Sequence, residues 1–402
     1  MTIYDGLFPL GIGTNRFAVS SPDDQDGIDR AAQIVASALE AGASYIDVAQ
    51  TYSRGTAMEV CRRAFAQTKA SRYVTVKSSF LSDRTADDAL RRTETVFANL
   101  GIDHAFCFLI WNISSYAQFE AVMGRCSLYE GARLVKERGL VEHVCFSTHA
   151  PPGDIVRMRE SGAFEGVTIS FSALNSAIMR PVLDCAAEND IGVVVMNPLG
   201  GGLIPQQKNY FSFLRGEHED STVKAALRYV SAHSAVKVVL SGMGSQQELT
   251  ENLGAFRGGS TEKPEDRIAR VSRSFRDIEG FCVGCRYCDG CPKGVPVFEL
   301  MQAYNTALFP QPAALYGQMD PKLIETMGIC SRLKNTFGFL PPDAANPCVK
   351  CGRCEVHCTA HLPIVERLDE LYRRFSTAGF SRRAMLERLR DLIEDRRKIA
   401  LY

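Results

Sequence analysis

The chain has 402 residues, 46% of them hydrophobic and 23% charged, with 46 basic side chains against 46 acidic. That length holds one large and one smaller domain, and the balanced charge sets up no global field for nucleic acid or an anionic membrane. The opening MTIYDGLFPLGIG lacks the basic-then-apolar order of a secretory signal and no apolar run reaches bilayer length, so a soluble cytoplasmic protein is expected.

Short Val/Ile-rich runs alternate with amphipathic stretches from the start. Strands are expected over Pro9–Gly13, Tyr45–Val48, Tyr73–Ser79, Ala105–Ile110, His143–Thr148, Val167–Phe171, Gly192–Met196 and Val236–Leu240. Helical patterns lie between them, among them Gly27–Ala41, Thr85–Leu100, Tyr116–Arg138 and Val223–His233. Continuous apolar strands imply burial on both faces, as in a parallel sheet wrapped by helices. Eight such strands in about 260 residues suit a (β/α)8 TIM barrel, an α/β fold, better than an open sheet. No Gly-x-Gly-x-x-Gly run follows a strand into a helix.

In a barrel the chemistry sits at the C-terminal ends of strands. Those ends hold Asp47, Lys77, Trp111, Ser147, Ser170, Asn197 and Ser241. A lysine closing the apolar strand Val74-Thr75-Val76-Lys77 is costly unless paired, and Asp47 is its natural partner. The long loop from Gly200 to Asp220 is placed over the mouth. Its Tyr210, Phe211 and Phe213, with Trp111, suggest an apolar or ring-shaped small-molecule substrate.

The polar stretch Gly258–Glu265 leads to a helical run, Asp266–Glu279. The expected boundary puts the barrel at residues 1–275 and a mostly helical second domain at 276–402. Phe298–Leu340 reads as mostly helical with Pro310 and Pro312 interrupting it, and Arg382–Lys398 reads as an amphipathic helix.

Fourteen cysteines in a reducing compartment are not a disulfide scaffold. Cys61, Cys107, Cys126, Cys145 and Cys185 are scattered and read as small buried side chains, as does Cys330. The remaining eight form two sets, Cys282-x2-Cys285-x2-Cys288-x2-Cys291 and Cys348-x2-Cys351-x2-Cys354-x3-Cys358. Zinc takes two cysteine pairs, and a run of four at equal steps fits that poorly. Three cysteines at two-residue steps wrap three corners of a cubane, and a distant cysteine closes the fourth. Two [4Fe–4S] clusters are therefore expected in a ferredoxin-like domain. One would be held by Cys282, Cys285, Cys288 and Cys358, the other by Cys348, Cys351, Cys354 and Cys291. The last gap of the first set is two residues rather than three, and Thr359 stands where proline usually follows.

Several strand-end motifs together resemble the aldo-keto reductase family. Gly42-Ala43-Ser44-Tyr45-Ile46-Asp47-Val48-Ala49-Gln50-Thr51-Tyr52, with Glu59 following, is similar to its catalytic aspartate–tyrosine segment, and Val74–Lys77 to its lysine strand. Asn197-Pro198-Leu199-Gly200-Gly201-Gly202 and Ser241-Gly242-Met243 through Glu251-Asn252 resemble its cofactor loops. The likeness covers about residues 6 to 256, and the cysteine region resembles the C-terminal extension of the family's iron–sulfur branch.

The resemblance implies an oxidoreductase acting on a carbonyl or alcohol with NAD(P)H. Tyr52 is its acid, Lys77 lowers the tyrosine's pKa and Asp47 holds the lysine. Trp111 stands where the family has a catalytic histidine, which puts standard carbonyl reduction in doubt, and His149 is the alternative imidazole. Ser147, Thr148 and Ser170 match the carboxamide-holding positions. Gly244–Gln247 matches the phosphate-cradling helix start, so Gln247 joins Glu251 and Asn252 on the cofactor side. Glu248 replaces the arginine that meets the 2′-phosphate, which favours NAD or marks a lost nucleotide site. Three readings stay open. The clusters relay electrons from a partner, a ferredoxin or flavoprotein; or they staple the tail of a nicotinamide enzyme; or the barrel has lost catalysis and docks a redox partner.

Overall fold

The computed structural model describes residues 1–125, 127–217, 219, 221–257, 262–274, 280–282, 288–308, 321–334, 345–358 and 360–377. The chain divides into two compact units, Met1–Ile278 and Glu279–Tyr402.

In the first unit eight parallel strands close into a barrel: β1 Leu10–Gly13, β2 Tyr45–Asp47, β3 Tyr73–Ser79, β4 Ala105–Ile113, β5 Val141–Thr148, β6 Gly166–Ser170, β7 Gly192–Met196 and β8 Val236–Ser241. Leu10 opposite Val239 and Ile12 opposite Ser241 complete the ring between β1 and β8. Side chains fill the interior, as a barrel this size requires. Tyr4 reaches in from the N-terminal segment to pack on Tyr45 at 5.8 Å and Phe106 at 5.9 Å. Gly166 and Gly192 admit it: a Cβ at the first would fall 2.3 Å from the Tyr4 hydroxyl, and one at the second 2.4 Å from its ring.

The outer helices start on polar caps. Asp24 accepts from the Gly27 N–H ahead of helix Gln25–Glu40, and Thr85 and Asp88 form a reciprocal capping box on helix Ala86–Leu100. The expected helix Tyr116–Arg138 is instead two helices, Tyr116–Val122 and Leu128–Glu137. Ser127 caps the second by accepting from Glu130 N–H, which restarts the chain after Gly124. Strand β4 runs three residues past its expected end, through a register irregularity against β5 between Ile110 and Ile113.

Helix Pro264–Ser274 is tied to the barrel's loops through charge. Glu219 accepts from Arg228 and Arg267, each at 2.9 Å, and from the Gly216 N–H. Arg270 binds Glu262 and the carbonyls of Phe213 and Leu214. Phe211 is fully buried, so the loop's aromatic content goes partly into its own packing. Burial alone would raise the Glu219 pKa, but Arg267, the Gly216 N–H and Arg228 outweigh it and bring it from 4.5 to about 2. A depressed carboxylate pKa stabilises the fold above the unfolded value and ceases to do so as pH falls through the folded one. Acid titration of unfolding should therefore show a shallower loss of stability in Glu219→Gln than in wild type between about pH 4.5 and about 2.

The second unit contains helices Val297–Leu308, Pro321–Arg332, Arg353–Val356 and Ile364–Thr377. Val297, Leu300, Ile329, Leu362, Leu368 and Leu371 belong to its core. The expected helix Arg382–Lys398 lies outside the described residues, as do Cys126, Cys285, Thr359, Pro310 and Pro312. Among the described residues, no helix is long and apolar enough to cross a membrane.

Candidate active site

The mouth of the barrel is organised around the end of β2. Thr14 donates from both its N–H and its hydroxyl to the Asp47 carbonyl, at 3.2 Å and 2.9 Å. Five residues on, the chain makes a tight turn, Tyr52–Gly55, in which Ser53, Arg54 and Gly55 all have positive φ. Non-glycine residues held there carry local strain that the surroundings must impose. Here Ser53 Oγ donates to Thr14 O at 2.7 Å and accepts from Phe17 N–H at 2.9 Å, locking the turn to the loop after β1.

That turn places Tyr52 against β3. Lys77 Nζ lies 2.7 Å from Asp47 Oδ2 and 2.7 Å from the Tyr52 phenol oxygen. All three groups are at most 7% exposed. Asp47 Oδ1 is buried and has no hydrogen-bond partner among the described residues, which is uncommon for a buried acceptor. Burial, and after it the Asp47 carboxylate, holds the Tyr52 pKa well above its usual value. This is opposite in direction to the lowering expected from the lysine.

Trp111 stands edge-on to Tyr52, with ring centroids 5.7 Å apart at 90°. Lys77 Nζ sits 4.6 Å from the Tyr52 ring centre and 5.8 Å from that of Trp111. The irregularity in β4 falls at this point. Asn112 takes φ +61°, its N–H donates to Ser147 Oγ at 3.0 Å, and its Oδ1 is buried with no partner among the described residues. Bulges often re-aim side chains beside active sites. Asn112 was not singled out from the sequence. The available signal was an asparagine, which tolerates the left-handed region, at a strand end. His149 follows β5 and is buried.

The cofactor-side positions divide. Thr148 is fully buried and its hydroxyl donates to Ile113 O at 2.6 Å while accepting from Ala150 N–H at 2.9 Å, so it joins β4 to the turn after β5. Ser147 holds Asn112, and the Ser170 carbonyl takes the Asn175 amide at 2.9 Å. After β7, Asn197, Gly200, Gly201 and Gly202 all have positive φ, while Pro198 and Leu199 carry the turn between them. Arg16 donates to the Gly201 carbonyl and ties this turn to the loop after β1.

After β8, Gly242 is exposed and Met243 buried. Asn252 Nδ2 donates to Ser241 Oγ at 2.8 Å, and Glu251 accepts from Ser221 Oγ at 2.6 Å. Gln247 is exposed. At the start of helix Gln246–Arg257, the Gly244 N–H donates to Glu248 Oε2 at 2.7 Å and the Glu248 N–H to Ser245 Oγ at 3.2 Å. A carboxylate of the chain thus sits on the N–H expected to meet a phosphate.

Residues 9–274 match the aldo/keto reductase family. The chain belongs to that family. Its members are oxidoreductases, and their barrel is the one described above. Among solved structures, an aldo/keto reductase from Klebsiella pneumoniae, in complex with NADP and acetate, is 16% identical with a TM-score of 0.53, covering 67% of this chain and 92% of that one. The holo form of an aldo-keto reductase from Bacillus halodurans is 16% identical with a TM-score of 0.54, covering 67% and 92%. One from Bombyx mori, in complex with NADP, is 19% identical with a TM-score of 0.51, covering 66% and 88%. At such identities the likeness concerns the fold alone. A comparison with curated proteins returned no match.

The family match stops before the cysteine unit. There Cys282 is buried in the core, and Cys288, Cys291, Cys348, Cys354 and Cys358 pack partly buried against it; Cys351 is exposed. Among the described residues, the Cys348 sulfur accepts a backbone N–H from Lys350 at 3.4 Å and the Cys358 sulfur one from Leu362 at 3.3 Å. Lys350, Gly352 and His361 take positive φ around them. Tyr372 belongs to that core, and Cys291 and Cys348, one from each set, pack against it. Cys330 is fully buried, its thiol pushed up to about 12. Among the described residues, no three His, Cys, Asp or Glu side chains are grouped to hold a single metal ion.

Proposed function

We propose that the chain is an oxidoreductase of aldo-keto reductase type that acts on a carbonyl or alcohol of a small molecule at the barrel mouth. The observation that carries this reading is Lys77 Nζ, 2.7 Å from both Asp47 and Tyr52. Tyr52, Lys77 and Asp47 are its catalytic set. NAD(P)H is the proposed cofactor, as in the NADP complexes among the structural neighbours, and when bound it supplies the hydride. Tyr52 gives its phenolic proton to the carbonyl oxygen. Lys77, held in place by Asp47, stabilises the phenolate left behind.

Trp111 walls the site with an apolar face and one N–H donor where an imidazole would otherwise orient the oxygen. The fitting substrates present a flat or apolar surface to it. Assaying NADH and NADPH oxidation against aldehydes and ketones, with the cluster-replete chain, tests the reading. Turnover is expected; absence of both turnover and nucleotide binding would favour the alternative, an electron-transfer adaptor whose barrel only docks a redox partner, for which Trp111 is the main argument.

Glu248 makes the cofactor choice testable. Its carboxylate would face a 2′-phosphate dianion and already occupies the Gly244 N–H, so NADH is expected to bind better than NADPH. Glu248→Arg should raise NADPH affinity at least about tenfold, equivalent to about 1.4 kcal/mol, with NADH changed less in the same fluorescence titration.

The second unit is read as a ferredoxin-like domain with two [4Fe–4S] clusters on the eight cysteines. Each iron of a cubane takes one thiolate, so its ligands stand farther apart than those of a single ion. Backbone N–H bonds to the sulfurs, as at Cys348 and Cys358, suit such a group. Cys291 and Cys348 pack against the same core, which supports the crossed ligand sets. When bound, the clusters supply one electron at a time. A ferredoxin or flavoprotein is the proposed electron partner.

A further inference from the structure

The first cysteine of the first set is gripped by side chains from a distant helix. Asn305 pairs with the Cys282 peptide as a neighbouring strand would: the Cys282 N–H donates to Asn305 Oδ1, and Asn305 Nδ2 donates to the Cys282 carbonyl, both at 2.8 Å. Gln302 Nε2 adds a second donor to the same carbonyl, also at 2.8 Å. Two residues earlier, Arg367 Nη1 donates to the Gly280 carbonyl at 2.6 Å. Asn305 is 1% exposed, Gln302 7% and Arg367 9%.

Buried amides and guanidinium groups are costly unless bonded, and here they are committed to the backbone of residues 280–282. Both amides rise from helix Val297–Leu308, twenty or more residues from Cys282. Cys348, which opens the second set, is held differently. Its N–H donates to Asn346 Oδ1 at 3.0 Å, and Asn346 Nδ2 donates in turn to Asp369 Oδ1 at 2.7 Å. Helix Ile364–Thr377 reaches both sets, through Arg367 and Asp369, whereas the amides of Asn305 and Gln302 act on the first set.

We propose that Asn305 and Gln302 are positioning residues for the cluster that Cys282 ligates. They set the Cys282 backbone before metal arrives, so its sulfur meets the cluster without rearrangement of the chain. They govern assembly and potential at that cluster independently of the other. Groups that orient a ligand and adjust its surroundings commonly tune metal sites in this way. The inference rests on the two-cluster reading.

The full-length chain, reconstituted with iron and sulfide under anaerobic conditions, separates the two claims. Wild type is expected to hold roughly eight irons and show two dithionite-reduced signals in electron paramagnetic resonance. Wild type without iron overturns the cluster reading and this inference with it. Given a loaded wild type, Asn305→Leu should lose about half the iron and one of the two signals. Gln302→Met, close in volume, should keep both clusters but shift the midpoint potential of one alone. Unchanged iron, spectra and potentials in both variants would overturn the positioning role. So would equal loss of both clusters with a lowered thermal transition, since that is a fold defect.

Discussion

Tyr52→Phe is expected to lower kcat for carbonyl reduction by about 10²–10⁴-fold, the range in which a positioned acid contributes. Nucleotide affinity and thermal stability should stay near wild type. The substitution removes the hydroxyl that accepts from Lys77 Nζ but keeps a ring to meet Trp111 edge-on and leaves Lys77 on Asp47. The measurement is steady-state kinetics beside a thermal melt, on protein with the same iron content as wild type. The pH profile adds a sign. With its pKa held above the usual tyrosine value by burial and Asp47, the phenol keeps its proton at neutral pH. Reduction, which uses that proton, should then be flat through neutrality, while alcohol oxidation, which needs the phenolate, should climb with pH. Unaltered turnover in Tyr52→Phe would remove the barrel from the chemistry.

Much of the barrel could be read from residues because its strands are buried on both faces and bounded by helical stretches. Tyr73–Ser79 and Gly192–Met196 have the bounds their apolar runs suggest. Errors arose where local geometry departs from periodicity. The end of β4 continues through Asn112 at positive φ, which no alternation pattern shows. The roles of hydroxyls were least legible, because they depend on strand register. Thr148 and Ser147 share one strand end, yet one joins β4 to the next turn and the other holds an irregular peptide. The capping role of Glu248 does have a sequence signal, since Ser245 and Glu248 have the spacing of a helix-capping box. The grip of Asn305 on Cys282 spans 23 positions and leaves no local signal.

Lys77 and Asp47 offer the other large effect, and it separates stability from chemistry. Lys77→Met leaves the Asp47 carboxylate buried with neither oxygen bonded to a cation, since Oδ1 has no partner among the described residues. Removing one member of a buried pair costs about 3–5 kcal/mol, so the denaturation midpoint should fall sharply. Replacing both members with apolar residues, Lys77→Met with Asp47→Leu, removes the uncompensated charge. Such double replacements are often neutral in stability. The double variant should therefore recover most of what the single one loses, giving a large coupling energy in a double-mutant cycle. Activity should not recover, because the phenolate of Tyr52 has lost the cation 2.7 Å away that stabilises it. A double variant that is stable and inactive would mean the ion pair is kept for proton transfer at a cost the fold could avoid. A double variant as unstable as the two single losses added together would instead make Lys77 and Asp47 ordinary structural residues.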